Sequence, residues 1–194
     1  MLLAALGVWG RAEQAAGQDP TSAAFEGLPK AAESVDSPVV ATVGGTDITA
    51  WRLATAVEMA ERGGTPVSVD DALTSLVEYE LLYREGVRLN LVPSDDEVRK
   101  AIEVTHENVP IAAVEEAVKY GQAGGSEAPA TVEEYWAHPA LLDATRKSMV
   151  VGRAREMLSG EVGPGGESRL QNELQRLKSG ADVVVFRDVL ESVR

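Results

Sequence analysis

The sequence predicts a mostly α-helical protein with a small two-stranded sheet, in which a strand near the N-terminus pairs with a strand near the C-terminus. Three observations support this fold class. Aromatic residues make up only 5% of the 194 residues, so an aliphatic core is needed, which favours helices over a large sandwich. Helix-capping signals recur between Thr49 and Thr131. Two short valine runs stand at opposite ends of this helical region, and each needs a partner for its backbone hydrogen bonds.

The composition excludes several classes of function. The formal net charge is -13, which repels phosphate backbones, and no cluster of Lys and Arg provides a local exception. We therefore expect no nucleic-acid partner. The chain has no cysteine, which excludes disulfides, thiol catalysis, cysteine-ligated metals and a lipid-anchor cysteine.

The chain divides into two regions at Pro38. Residues 1–37 form an apolar N-terminal segment and a disordered tether, which has too little apolar surface to fold. The apolar run Met1–Trp9 is shorter than the ~20 residues that cross a bilayer. It has the length of a signal-peptide core but no preceding Lys or Arg. A cleaved export signal, a membrane anchor, a misassigned start and an inert tail all stay open. Residues 38–194 form the folded helical domain.

The folded domain begins with a strand and a helix. Val39–Val43 is a β-branched run that ends at Gly44-Gly45, a pair suited to a tight turn. Thr49 then stands where a helix N-cap is expected, before an apolar pattern of helical period. We predict a strand over the first run and a helix over 50–62.

The second predicted helix, Val69–Leu89, is the best-defined element of the sequence. Ser68 and Asp71 have the spacing of a capping box at its start. Its apolar residues lie on both sides, which predicts a central helix packed on both sides. Glu80 and Arg84 stand four residues apart within the broad apolar face. They are either a functional polar pair or a partly buried ion pair.

The next segments are predicted from their caps. Asn90 stands at a left-handed C-cap, and Ser94–Glu97 is a capping box for a third helix. That helix must break or kink at Pro110. A further helical stretch is expected over 111–120, followed by a flexible Gly-rich loop over 121–126.

The C-terminal part is predicted to be helical with a closing strand. Thr131–Glu134 is another capping box. It begins a long helical segment that is interrupted near Pro139 and ends at Gly160. Residues 160–168 are predicted to be a linker, and a leucine-faced helix follows. The run Val183–Phe186 is short enough for a strand, which we pair with the first strand.

No catalytic or metal-binding constellation is present in the sequence. The two histidines, His106 and His138, fall on different predicted helices and are interpreted as exposed or capping residues. Phosphate-binding loops, zinc motifs and serine-nucleophile motifs are absent. Carboxylates are abundant, but nothing distinguishes one pair as acid and base. We expect no enzymatic activity, no cofactor and no metal.

The order of these elements resembles the SurA/PrsA family of extracytoplasmic folding factors. Val39–Thr49 is similar to the opening strand, turn and helix start of that family. Leu76–Val98 is similar to its leucine-rich helix, short cap and following helix start. Thr131–Trp136 resembles its next helix start, and Leu174–Leu177 with Ala181–Phe186 resembles its returning helix and strand. The resemblance covers residues 38 to about 189.

The sequence departs from the family pattern at several places. Gly86 stands where the family usually has alanine, which is expected to loosen the helix by ~1 kcal/mol. Asn90 replaces the usual glycine, and the stretch Pro110–Gly125 has no counterpart that aligns. In the family, a parvulin-type prolyl isomerase domain commonly occupies the place of the predicted linker at 160–168. The resemblance therefore implies a chaperone module without isomerase activity.

The resemblance implies ATP-independent, chaperone-like binding of unfolded or extended polypeptides outside the cytoplasm; a cytoplasmic location stays open. Four aromatic residues outside the best apolar stripe are candidate client contacts, with a core position as the alternative for each. They are Trp136, Tyr135, Trp51 and Tyr120. The alternative function is a dedicated interaction or assembly subunit that uses the same apolar surface. A homodimer and a membrane tether through the N-terminus stay open as further associations.

Overall fold

The computed structural model describes residues 37–62, 64–112, 114–115, 118, 129–160 and 164–191. The chain is mostly α-helical with one small antiparallel sheet, so the predicted fold class is confirmed. The strands are β1 (Val39–Val43), β2 (Thr46–Thr49) and β3 (Val183–Val185). The helices are α1 (Ala50–Arg62), α2 (Val69–Arg88), α3 (Asp95–Asn108), α4 (Val132–Ala137), α5 (Pro139–Ser159), α6 (Pro164–Gly180) and α7 (Arg187–Glu191). The predicted tether up to residue 36 and the predicted loop at 121–126 lie outside the described residues.

The sheet has the strand order β2-β1-β3, and both neighbours of β1 are antiparallel to it. The predicted pairing of the first and last strands is confirmed, since Thr42 lies opposite Val184. The predicted number of two strands is wrong, because β2 adds a third. Gly44 and Gly45 have φ angles of 53° and 85°, the left-handed conformations that a two-residue hairpin turn requires. The chain thus turns back at once and pairs with β1 before α1 begins.

The start and the end of α2 follow the predicted capping signals. At the start, the side chain of Ser68 accepts a hydrogen bond from the N–H of Asp71 at 3.1 Å. At the end, Asn90 has a φ of 58°, as expected for a left-handed cap. The N–H of Asn90 donates to Val87 and the N–H of Leu91 donates to Gly86, which are the two bonds of a Schellman motif.

Helix α2 is central, as its two apolar sides predict. One side packs against the sheet and α1, and the other packs against α5 and α6. The first cluster includes Leu73, Leu76, Val77 and Leu81 of α2 with Val40, Val43, Ile48 and Leu53. The second includes Leu82 of α2 with Val151, Ala154, Leu170 and Leu174. The sheet and the helices on the far side are therefore joined through one helix.

Gly86 lies where α2 crosses α5. A Cβ atom at this position would stand 2.5 Å from Val150 Cγ1, 3.0 Å from the Val150 carbonyl oxygen and 3.3 Å from Ala154 Cβ. Any larger side chain would push the two helices apart. The glycine expected to loosen α2 is thus required for the close approach of α5.

The C-terminal helices begin and end largely where the sequence predicts. Thr131 caps α4, the helical segment breaks at His138, and Gly160 ends α5 with a φ of 74°. The predicted linker at 160–168 is too long, because α6 already begins at Pro164. Proline is favourable in the first turn of a helix, where its missing N–H costs no hydrogen bond. Across the described ranges, no helix is both long and apolar enough to cross a membrane.

Candidate functional site

Strand β3 pairs with β1 on one of its two sides. We use the name β3 edge for the other side of the strand together with Phe186. The N–H of Gly44 donates to the carbonyl of Asp182 at 2.8 Å, and the N–H of Phe186 donates to that of Val40 at 2.9 Å. Bonded and non-bonded pairs alternate along an antiparallel ladder, so the backbone groups of residues 183 and 185 point away from β1. Within the described part of the chain, no strand pairs with this side.

The side chains of the β3 edge are apolar and accessible. Val184, Val185 and Phe186 are 42%, 39% and 41% exposed. The opposite edge of the sheet differs, because β2 carries the exposed carboxylate of Asp47 within the strand. Charged residues on an edge strand discourage pairing with another chain. The sheet therefore has one edge with a charge on it and one edge that offers backbone groups and valine side chains.

A groove of about 470 Å³ lies between the C-terminal halves of α2 and α6, beside the start of β3. Leu81 and Leu177 provide apolar lining, and Gly180-Ala181 connects the groove to β3. The groove also contains three arginines and one carboxylate. They are Arg84, Arg88, Arg176 and Glu85, and we call this feature the arginine groove.

The three arginines differ in their partners. Arg84 Nη1 donates to the carbonyl of Val43 at 3.1 Å and also to the carbonyl of Gly44. Arg88 makes two hydrogen bonds of 2.7 Å to the buried Glu85. The fold thus brings three arginines together that are not clustered in the sequence. The spacing of Arg84 and Arg88 was a signal, but the third arginine comes from a distant helix.

The predicted pair of Glu80 and Arg84 does not form. Glu80 is only 1% exposed, and its Oε1 lies 2.8 Å from Arg52 Nη1 and 2.6 Å from Lys147 Nζ. Burial raises the pKa of Glu80, but the charges and hydrogen bonds of Arg52 and Lys147 outweigh it, so the pKa lies below its usual value. This carboxylate is therefore ionised, and it connects α2 to α1 and α5.

Two other glutamates of α2 are buried and paired in the same way. Glu78 Oε1 lies 2.8 Å from Lys178 Nζ of α6. The hydrogen bonds from Arg88 lower the pKa of Glu85 despite its burial, and the nearby charge of Arg176 adds to this. A general acid or base needs a pKa near the working pH. The lowered pKa of Glu85 does not fit that role, and Glu78 with Lys178 forms an ion pair between α2 and α6.

The histidines occupy structural positions. His138 caps α5, since its Nδ1 accepts a hydrogen bond from the N–H of Ala140 at 3.2 Å. The ring of His106 lies 4.8 Å from that of Trp136, measured between centroids. The described residues contain no group of three or more His, Asp or Glu side chains placed to hold a metal ion.

The candidate contact residues of α4 lie in a third apolar cluster. Tyr135 is 1% exposed and packs with Leu141 and Val114, so it occupies the core position that the sequence left open as its alternative to a client contact. Burial also raises the pKa of its hydroxyl. Trp136 is half-buried, with its ring 5.3 Å from that of Tyr135. Its indole Nε1 is buried without a hydrogen-bond partner among the described residues.

Trp51 is not part of this cluster. Trp51 is half-buried in the first turn of α1, where its backbone N–H donates to the hydroxyl of Ser37 at 2.9 Å. Tyr120 lies outside the described residues. Among the described candidates, Trp51 therefore lies apart from Tyr135 and Trp136, and the β3 edge was missed as a site. The Gly44-Gly45 turn followed by Thr46–Thr49 could have indicated it, because a third strand places the closing strand at an edge.

Comparisons with known proteins yield no further assignment. The chain matches no protein-family model, no curated protein and no solved structure.

Proposed function

We propose that this chain binds unfolded or extended polypeptides outside the cytoplasm as an ATP-independent, chaperone-like protein without catalytic activity. The observation that carries the proposal is the β3 edge. Outward N–H and C=O groups on an accessible strand can pair with any extended chain, since backbone hydrogen bonds do not depend on the sequence of the client. The resemblance to the SurA/PrsA family and the apolar run Met1–Trp9 support the location.

The size of the β3 edge favours weak and reversible binding. The strand has three residues, so a client can form only a few new backbone bonds, each with a net contribution of about 1 kcal/mol. The exposed valines and Phe186 add apolar contacts to alternate side chains of the client. Release then needs no energy source, in keeping with a sequence that has no nucleotide-binding motif.

Light scattering of an aggregating client protein tests this function. We expect the chain to suppress aggregation at near-stoichiometric amounts without ATP. The variant Val185→Lys places a charge on the β3 edge and is expected to lose at least about half of the suppression. Val104→Lys is the matched control, because Val104 is 52% exposed on the distant helix α3. Absence of suppression by the wild-type chain at large excess would contradict general chaperone activity.

The alternative function, a dedicated interaction or assembly subunit, would use the same edge. Two copies can pair their β3 strands in an antiparallel arrangement, which would bury the edge permanently. Gel filtration at low concentration distinguishes the two functions. A stable dimer that Val185→Lys converts to a monomer would favour the alternative, whereas a monomer that binds clients favours the chaperone proposal.

A further inference from the structure

We propose that the arginine groove binds carboxylates of the client, so that the preferred clients are extended segments with acidic residues beside a β-forming stretch. This inference rests on the proposed function and adds a class of client to it. The first support is position. The groove ends at Ala181, and β3 begins two residues later at Val183. A strand paired with the β3 edge therefore reaches the groove within about 7 Å, at ~3.3 Å per residue.

The second support is charge. Three guanidinium groups line the groove. One carboxylate also lines it, that of Glu85, which is 6% exposed. The side chains of Arg88 and Arg176 are 65% and 61% exposed, so they can contact a bound chain. The protein as a whole has a net charge of -13. At physiological salt the Debye length is about 8 Å, so a carboxylate inside the groove interacts mainly with the three arginines and with Glu85 and Glu173, the carboxylates that pair with Arg88 and Arg176. Three positive charges against two negative charges leave this site net positive.

The third support is the fixed position of Arg84. Its hydrogen bonds to the carbonyls of Val43 and Gly44 hold the guanidinium beside the β1–β2 turn. Gly44 is in turn bonded to Asp182, immediately before β3. Arg84 has no carboxylate partner among the described residues. Because the guanidinium group of Arg84 is already held in place, it loses little conformational entropy when it binds a carboxylate.

The apolar lining fits the same class of client. Leu81 and Leu177 lie in the groove beside the arginines. The methylene groups of a glutamate can contact these leucines while its carboxylate reaches a guanidinium. The groove therefore complements both parts of an acidic side chain, and the adjacent β3 edge complements the backbone that carries it.

Peptide binding measured by fluorescence anisotropy tests the inference. The probes are two labelled ten-residue peptides of alternating valine and threonine, one with two glutamates at each end and one with glutamines in their place. The full chain is expected to bind the glutamate peptide about fivefold more tightly, the upper range for exposed ion pairs. This preference should fall as the salt concentration rises from 0.05 to 0.3 M, since screening weakens exposed pairs.

Arginine variants assign the preference to the groove. Arg176→Gln and Arg88→Gln are each expected to reduce the preference for the glutamate peptide to about twofold or less. Neither variant should change the binding of the glutamine peptide. Arg176→Lys should retain most of the preference, because the positive charge is kept. Arg99→Gln is the matched control, because Arg99 is 66% exposed and pairs with Asp96 three residues away, as Arg176 pairs with Glu173. Equal binding of the two peptides, or a preference that survives both glutamine variants, would overturn the inference but not the proposed function. If the wild-type chain binds neither peptide, the proposed function fails as well.

Discussion

The β3 edge differs from the crossing of the two helices α2 and α5. The crossing is closely packed and its charges are paired, whereas the edge is exposed. At the crossing, Gly86 allows the helices to touch and the buried Glu80 has a cation on each side. At the β3 edge, Val184 and Val185 are exposed and the backbone groups of the strand point outward. Packing explains Gly86 and charge pairing explains Glu80 at this crossing. The exposed valines and the outward backbone groups of β3 make no comparable contacts within the described residues, and we propose that they bind another chain.

The largest effect on stability is expected from Glu80→Gln. The substitution removes the charge that compensates Arg52 and Lys147, whose side chains are only 22% and 25% exposed. We expect the free energy of unfolding to fall by about 3 kcal/mol, as for buried pairs that lose one partner. Urea denaturation measures this change. A loss below about 0.5 kcal/mol would show that the crossing does not depend on these ion pairs.

The second largest effect is expected from Gly86→Ala. The new methyl group would overlap Val150 at the helix crossing, at a cost of ~1–3 kcal/mol that the gain in helix propensity offsets only in part. We expect a net loss of about 1–2 kcal/mol in thermal or urea unfolding.

Gly152→Ala is the matched control for this substitution. Gly152 lies in α5, and a Cβ atom there would meet nothing within 4 Å. The propensity gain then acts alone, and we expect stabilisation by up to about 1 kcal/mol. Similar effects of the two alanines would contradict the close packing at Gly86.

A smaller effect is expected at Glu97, where α3 meets α5. The Ser94 backbone N–H and Arg153 donate to its carboxylate and lower its pKa to about 2. A pKa that is lower in the folded chain than the ~4.3 of an unfolded glutamate contributes stability above pH 4.3. That contribution is lost as the pH falls towards 2.

The variant Glu97→Gln should therefore be less stable than the wild-type chain at pH 7 and equally stable near pH 2. Urea unfolding at both pH values measures the difference. Glu103→Gln, on the exposed side of the same helix, controls for the loss of one negative charge. A difference for Glu97→Gln that is the same at both pH values would contradict the role of its ionised form.

The smallest effect on stability is expected at the β3 edge, where the effect on binding is largest. Val185→Lys replaces an accessible side chain, so the free energy of unfolding should change by no more than about 0.5 kcal/mol. Thermal unfolding and aggregation suppression are measured on the same sample. A large loss of stability would show that Val185 belongs to the core. The β3 edge would then be a packed region like the crossing of α2 and α5, and the contrast between them would be wrong.

The sequence predicted features that depend on neighbouring residues. The left-handed cap at Asn90, the capping box at Ser94 and the break at His138 each follow from a few adjacent side chains. Contacts between residues far apart in the chain were harder to predict from the sequence. The role of Gly86 depends on Val150, and the pairing of Glu80 depends on residues of two other helices, so spacing along α2 suggested the wrong partner.

The candidate site was only partly predictable for the same reason. The strand Val183–Val185 and its pairing with β1 were predicted, but its place at the edge depends on β2. Thr49 was predicted only as a helix N-cap, which it also is in the structure. No strand was predicted over Thr46–Thr49. The arginine groove combines residues nearly a hundred positions apart, which no local pattern connects.

Hydrogen exchange at β3, followed by NMR with and without an extended peptide, tests the central claim most directly. The amides of Val183 and Val185 point away from β1, so they should exchange rapidly in the free chain and slowly in the complex. The amide of Val184, opposite Thr42 in the ladder, should change much less. Peptide binding that leaves the exchange of residues 183 and 185 unchanged would contradict the β3 edge as the client site.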